Sequence, residues 1–581
     1  MERTGPNHVL KRRFIRYLLP TLAIMAMIPV SQIAESVILS RCVDSRAMAS
    51  ASLASPLLLL ATAVYYFLGG GGAAEYTLAL NEGDEQKAAG VFRITILIGA
   101  VCGLMMTGIS LIFFDPLSHL LCRQPDLFSD FQNYFRIVIF AIPPLIFFLT
   151  LTGLLVPLGR PGIAAGMVII VSILQTALTY IYTTRYGLRA EGAALARLLS
   201  CVIGAMITFV WVFFSMPGGW YTRSRSSAKE NWAIVRDILG KGNTEGMSVC
   251  SRAFRLLWTF SIGAIRMGTD AVLAFSVCIQ MASVDSIIQG TLIGTSIPLI
   301  ALLHDQGDYQ ATGQTLKGTI RIQFILSALW FVVCVLIARP LIYFFQIHDE
   351  VQIETAVSVL RIYSVTYLFR GSYTLFRNYL KILEIKGHAW KLTVGVLVAN
   401  GVYALCSLLG GNALWWANPI ASLGLLIYTY ALNLKVVRGS EGKWRTVLLI
   451  PQEQEALRTI NASLGLSREE IARFAEQFQG MCQENGMDIV HAVICTFALE
   501  ELLFNVLEDE EKKDYADINA RIYPDRMVID FRTLGPAFQP EELRLLKKIS
   551  TKITHRNISG MNCTRLELAR QDTETESPPG A

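Results

Sequence analysis

Between residues 14 and 436 the chain carries about twelve stretches of some twenty mostly apolar residues, each long enough to cross the hydrocarbon core of a bilayer. They lie near 14–39, 48–72, 91–114, 133–157, 163–184, 192–216, 240–264, 272–303, 319–345, 355–380, 390–409 and 413–436. In lipid, backbone N–H and C=O groups are satisfied only within helices or a closed barrel, and runs of this length specify helices. The expected fold class is an all-α polytopic membrane protein. Pro29, Pro143, Pro144, Pro298, Pro419 and the glycines at 69–72 fall inside the runs, where neighbouring helices can take up the freed backbone groups. A dozen spans exclude a protein that merely rests on a membrane.

Composition matters because it divides the chain. Of 581 residues 53% are hydrophobic and 17% charged, below the roughly one quarter typical of soluble domains. From Gln452 onward there are 23 acidic and 15 basic residues, which leaves 23 acidic and 36 basic residues before it. A sparsely charged body of about +13 therefore precedes a densely charged tail of about −8. That division excludes a single soluble domain, a disordered chain and a nucleic-acid binder built on overall charge. The 11 cysteines are scattered through apolar runs without a CxxC pair or a His-Cys cluster, so they read as small core residues. The basic start MERTGPNHVLKRRF leads into an apolar run without a small-residue cleavage site, so no cleavable signal peptide is expected.

Lys and Arg in short loops set the orientation. Arg3, Lys11, Arg12 and Arg13 precede the first run; Arg223, Arg225, Lys229 and Arg236 follow the sixth; Lys381, Lys386 and Lys391 follow the tenth. All fall on one side if both termini are cytoplasmic. The two halves also repeat. Ala47 opens AMASASLASPLLLL and Ala271 opens AVLAFSVCIQMAS; Gly83 opens GDEQKAAGVFRI and Gly307 opens GDYQATGQTLKGT; both pairs are 224 residues apart. An offset of six helices keeps the copies in the same orientation, so they form parallel lobes with a substrate site expected between them. The expected division is a cytoplasmic N-terminus at 1–13, lobes at 14–216 and 240–436, an inter-lobe loop at 217–239, a linker at 437–455, a small α+β domain at 456–570 and an unstructured end at 571–581.

Several markers in order resemble the multidrug and toxic compound extrusion (MATE) transporters over roughly residues 14–436. They are YLLPTLAIMAMIPVSQIAESVILSR in the first run, NEGDEQKA after the second, PLGRPG at 157–162, GLRAEGAALARLLS at 187–200 and RMGTDAVLAFSV from Arg266. The resemblance implies two six-helix lobes around a cavity, and export of amphipathic compounds driven by a Na⁺ or H⁺ gradient.

Ionisable groups inside spans are costly and mark candidate function. Glu35 falls where the family carries a first-helix carboxylate that takes up H⁺ or Na⁺; a structural ion pair is the plainer role. The family's other first-lobe cation ligands correspond here to Gln175, Thr179 and Arg197, so an Asp is lost and a permanent positive charge gained. Glu35 and Arg197 are expected to pair, and first-lobe Na⁺ binding is expected to be absent. In the second lobe Glu245, Arg252 and Arg255 share a helix side, Arg370 and Arg377 share another with Tyr373 between them, and Asp285 is the acidic partner. Arginines outnumber carboxylates, which favours an anionic or zwitterionic solute. A flippase or exporter of anionic or lipid-linked solutes is thus the alternative to xenobiotic efflux. The glycines before Glu75 read as close helix packing or a hinge, and Trp415 with Trp416 as an interfacial anchor.

In the tail, SREEIARFAEQFQGMCQENG opens with a capping box, a second apolar helix follows, and DINARIYPDRMVIDFRTL alternates around a turn at 524–526, hence a hairpin. This resembles the ATP-binding fold of the GHKL group, in its anti-sigma-factor kinase branch. The resemblance assigns Glu501 as base and Asn505 as Mg²⁺ holder. At Thr533 it would place an adenine-reading Asp, with Gly535 following; Gly560 stands where phosphate-closing glycines repeat. Loss of the Asp and of those glycines argues against Mg-ATP binding, and the tail reads as a regulatory or docking module for a cytoplasmic partner. A membrane-bound sensor acting through this tail is the second alternative. The whole reads as a multi-pass plasma-membrane transporter of small molecules rather than an enzyme, with no metal site expected apart from Mg²⁺ at Asn505 should Mg-ATP bind.

Overall fold

The computed structural model describes residues 8–569 except 82–83, 159, 216–227, 306, 384, 386, 410–411, 441–443, 445, 452–457, 466, 485–488, 508–514, 524–525, 535–546, 548–549 and 559–560. Among the described residues ten helices, not twelve, are long and apolar enough to cross a membrane. The two expected spans that do not qualify are those near 240–264 and 355–380. The first is the opening half of helix Ala228–Asp305, which breaks at Gly268 (φ 69°, ψ −148°); only glycine adopts such a backbone readily. The second divides into Glu350–Ser364 and Thr366–Ile382. Both are helical, but they carry the clustered charges, Glu245, Arg252 and Arg255 in one and Arg361, Arg370 and Arg377 in the other. Apolar content alone therefore misses them.

The prolines are accommodated by specific neighbours. Pro143 and Pro144 lie inside helix Pro125–Leu155. Pro143 has no N–H, so the carbonyl four residues back, at Ile139, loses its donor. The Thr107 hydroxyl of helix Glu85–Ile112 donates to that carbonyl at 3.0 Å, and Gly103 of the same helix lets the two backbones meet: a Cβ there would lie 3.1 Å from Pro143 Cα. The repeat is visible in helix starts. Asp44 caps Ser45–Leu53 by accepting from Ala47 N at 2.6 Å, and its counterpart 224 residues on is the break at Gly268.

The chain forms two compact units. One holds Thr21–Ile293 with Thr319–Leu432, the other the residues up to Pro20, Gly294–Gly318 and the residues from Asn433 on. In the first unit the lobes touch at both ends. At one end, a Cβ on Gly71 would lie 2.1 Å from the Ile238 carbonyl oxygen, and one on Gly242 would lie 2.2 Å from that of Phe67. Beside these contacts the buried Glu75 ion-pairs with Lys241 across the lobes, and with Lys87 at 3.2 Å. The glycine run therefore serves close packing, next to a π-helical turn at Tyr66–Gly70. At the other end Gln124 Nε2 donates to the Ala264 carbonyl at 2.9 Å, and the Arg41 guanidinium lies 4.4 Å from the Phe344 ring centre. Trp416 is 44% exposed, as an interfacial anchor should be, but Trp415 is 2% exposed. It packs against Phe275, because one face of that helix turns into the core.

In the second unit five antiparallel strands, β1 (Arg458–Gly465), β2 (Tyr515–Ile522), β3 (Arg526–Leu534), β4 (Lys552–Ile558) and β5 (Met561–Ala569), lie in the order β1-β2-β3-β5-β4. The expected hairpin is β2–β3. Helices Arg468–Glu484 and Ile489–Leu507 share an apolar core with the sheet, with Phe478, Leu499, Ile518 and Phe531 at its centre. β2 is buried along both faces from Ala516 to Ile522, although its residues alternate apolar and polar. The polar face meets the chain from 294–318: Leu299, Leu302, Leu303 and Ala311 cluster with Cys563, and Asp308 ion-pairs with Arg532. Burial alone would raise the Asp308 carboxyl, but Arg532 and Arg521 hold it below its ordinary value; burial pushes Asp530 up, against Arg565 and Arg521.

Candidate functional site

Glu35 stands at the centre of the first-lobe cluster. It is buried near the end of helix His8–Cys42. Gln175 from helix Pro161–Thr184 donates Nε2 to Glu35 Oε2 at 2.8 Å, and Arg197 from helix Ala190–Ser215 contacts the same oxygen at 2.5 Å. The Tyr134 hydroxyl donates to Glu35 Oε1 at 3.2 Å, a fourth member that the sequence did not single out. Thr179 is buried too, but its hydroxyl donates to the Gln175 carbonyl of its own helix at 2.8 Å and does not reach Glu35. Both carboxylate oxygens are occupied, one by a permanent cation. Arg197 offsets the Glu35 charge from within the lobe. One turn away Val30, Ser31, Thr176 and Tyr180 help line an apolar groove of about 530 Å³.

The second-lobe residues gather inside that lobe, as a denser and more positive set. Arg377 donates from Nη2 to Glu245 at 3.0 Å and from Nη1 to Ser248 Oγ at 2.5 Å, and Lys381 pairs with the other Glu245 oxygen. Lys381 reads from the sequence as a loop charge, but it lies in the last turn of helix Thr366–Ile382. Asp285, fully buried, pairs with Arg370 at 2.7 Å and with Gln289. Arg370 also reaches Ser286 Oγ at 3.1 Å. Tyr373 is buried beside Arg377, with no hydrogen-bond partner on its hydroxyl among the described residues. Among the described residues no carboxylate forms an ion pair with Arg252 or Arg255; Arg252 is exposed and Arg255 half-buried. Five cations thus face two carboxylates, both already paired. Such a set can hold an anion by charge-assisted hydrogen bonds without displacing an internal pair.

The tail boxes are less fully described. Glu501 and Asn505 lie on helix Ile489–Leu507 one turn apart, with their side chains outside the described residues, as are Gly535 and Gly560. Thr533 is enclosed in β3 opposite Asn562 of β5. No group of three or more metal-ligating side chains occurs among the described residues.

The MatE family model matches residues 20–181. The multidrug export protein MepA of Staphylococcus aureus (strain bovine RF122 / ET3-1) is 21% identical over 404 residues, 67% of this chain and 87% of MepA. The protein of the same name from Staphylococcus haemolyticus (strain JCSC1435) is 23% identical over 388 residues, 65% of this chain and 83% of its own. Among solved structures, an inward-facing multidrug-resistance MATE transporter aligns over 73% of this chain and 99% of its own with a TM-score of 0.61 at 18% identity. The membrane part has the fold of a MATE transporter. A MOP superfamily transporter from Pyrococcus furiosus, described as having a binding pocket of reverse polarity, matches with a TM-score of 0.60 at 18% identity over 74% of this chain and 96% of its own.

Proposed function

We propose that this protein is a MATE-type secondary transporter that exports small amphipathic compounds by alternating access between its lobes, and that its cargo carries an anionic group. The observation that carries the reading is the pair Arg252 and Arg255, cations that no carboxylate among the described residues ion-pairs, in a lobe with three further cations. Like charges gathered on one side of a lobe stay unfavourable until a counter-anion joins them, so the second lobe is poised for one. The similarity to multidrug export proteins supports the export reading. In the first lobe, Na⁺ binding at Glu35 is not part of the cycle, because Arg197 already occupies the carboxylate. Lys and Arg at the N-terminus and in the segments after the sixth and tenth runs support a multi-pass plasma-membrane protein with cytoplasmic termini. The tail acts as a regulatory module rather than an ATPase, in keeping with Thr533 at the place of the adenine-reading Asp.

The test is flux in proteoliposomes under separately imposed Na⁺, H⁺ and voltage gradients, with carboxyfluorescein as anionic probe and ethidium as cationic probe. Carboxyfluorescein should be carried and ethidium not, with no stimulation by Na⁺. Arg252→Gln with Arg255→Gln should cut the anion flux by about tenfold or more, the loss expected when charge-assisted contacts are removed. Ethidium transport that tracks a Na⁺ gradient and vanishes in Glu35→Gln would sink the reading.

A further inference from the structure

The tail sheet turns a polar face away from its helices, built from Asp517, Asn519 and Arg521 of β2, Asp530 and Arg532 of β3 and Arg565 of β5. Alternation of this kind normally gives a face to water. Here Arg521 and Arg532 are each 1% exposed and Asp530 is 2% exposed. Within the sheet Arg521 is paired with Asp530, whose other oxygen lies 3.7 Å from Arg565 Nε. The carboxylate on Arg532 comes from outside the sheet: it is Asp308, 0% exposed, in the turn between spans eight and nine. That turn is shaped for the contact. Gly307 has φ +70° and lies under Arg565, whose Nη1 would stand 2.7 Å from any Cβ.

The internal repeat supplies a control. Asp84, 224 residues earlier, accepts from Lys87 N at 2.9 Å and caps helix Glu85–Ile112, with its side chain in solvent. Asp308 makes the same cap, accepting from Ala311 N at 3.0 Å through Oδ1, and gives its second oxygen to Arg532. The cap needs one oxygen. The other oxygen, present in both copies, has a tail partner only in the second.

From the turn, the helices continue without interruption, span eight back to the Gly268 break and span nine on to Leu336. Fixing their adjoining ends therefore constrains both. We propose that the Asp308–Arg532 pair is an autoinhibitory latch by which the tail sheet splints the ends of spans eight and nine, and that its release speeds transport. The speed rests on the transport reading above; the docking does not.

Asp308→Asn separates latch from cap, since Asn caps as well as Asp but carries no charge. The readout is N-ethylmaleimide labelling of the full-length protein in proteoliposomes, located by peptide mass spectrometry. Cys563 is buried among the span-end residues and Cys482 in the tail's own core. Asp308→Asn and Arg532→Gln should each raise Cys563 labelling by about tenfold through local opening and leave Cys482 unchanged. Both should raise carboxyfluorescein efflux about two- to fivefold, while Asp84→Asn does neither. Unchanged Cys563 labelling, equal gains at Cys482 (which would report unfolding), or unchanged or slower efflux despite undocking would each overturn the latch. Faster Cys563 labelling in a protein whose wild type carries no carboxyfluorescein would count against the cargo reading alone.

Discussion

The Glu35–Arg197 pair sets the energetics of the first lobe. Both ions are taken out of water, and their attraction together with the hydrogen bonds from Gln175 and Tyr134 offsets that cost. Removing one partner leaves the other buried and uncompensated. Arg197→Met should therefore destabilise the protein by about 3–5 kcal/mol, and Glu35→Gln added to it should recover most of the loss, measured by denaturation of the purified protein. If Arg197→Met alone is neutral, Glu35 is solvated or protonated and the pair is not structural. At this scale the sequence was legible where a charge stood inside an apolar run, which is how Glu35, Arg197, Glu245 and Arg370 stand out. Tyr134 gave no signal, because a tyrosine in a helix rich in aromatics reads as packing. Thr179 pointed the wrong way for the opposite reason: a buried helical threonine can satisfy itself on its own backbone, and this one does.

Elements show where apolar pattern stops being informative. The helices that hold most of the second-lobe charges are also the ones whose composition does not qualify them as spans, so the same residues that mark the site weaken the span signal. In the tail, alternation located the β2–β3 hairpin, but it implied a solvated polar face. That face is buried, because its partners come from residues 294–318, far away in sequence, and no local pattern reports them. The Pro143 helix is the converse case, in which a local defect names its remedy. The freed Ile139 carbonyl needs a donor, and Thr107 supplies it from the next helix. Thr107→Val keeps the shape and removes the donor, so it should cost about 1–3 kcal/mol, read as a lower melting temperature of the purified protein. Thr77→Val, whose exposed hydroxyl bonds only within its own helix, should be close to neutral.

At the scale of the molecule the two lobes are alike in helix order and unlike in charge. The repeat announced the first fact through two loop motifs at one offset. The contacts between lobes were not legible, since they depend on glycines that meet backbone rather than on any motif. Alternating access requires the lobes to close at one end while they part at the other, and closure at the Glu75–Lys241 end depends on backbone approach. Gly242 is the test. Any side chain there would collide with the Phe67 carbonyl, whereas Gly240, two residues earlier on the same helix, has nothing within 4 Å of an added Cβ. Packed interfaces of this kind do not yield gradually. Gly242→Leu should hold the lobes apart at that end and lower flux by about tenfold or more, with Gly240→Leu within about twofold of wild type, in the same proteoliposome assay. Equal flux in the two variants would mean that this contact opens and closes nothing, and that the lobes move about some other seam.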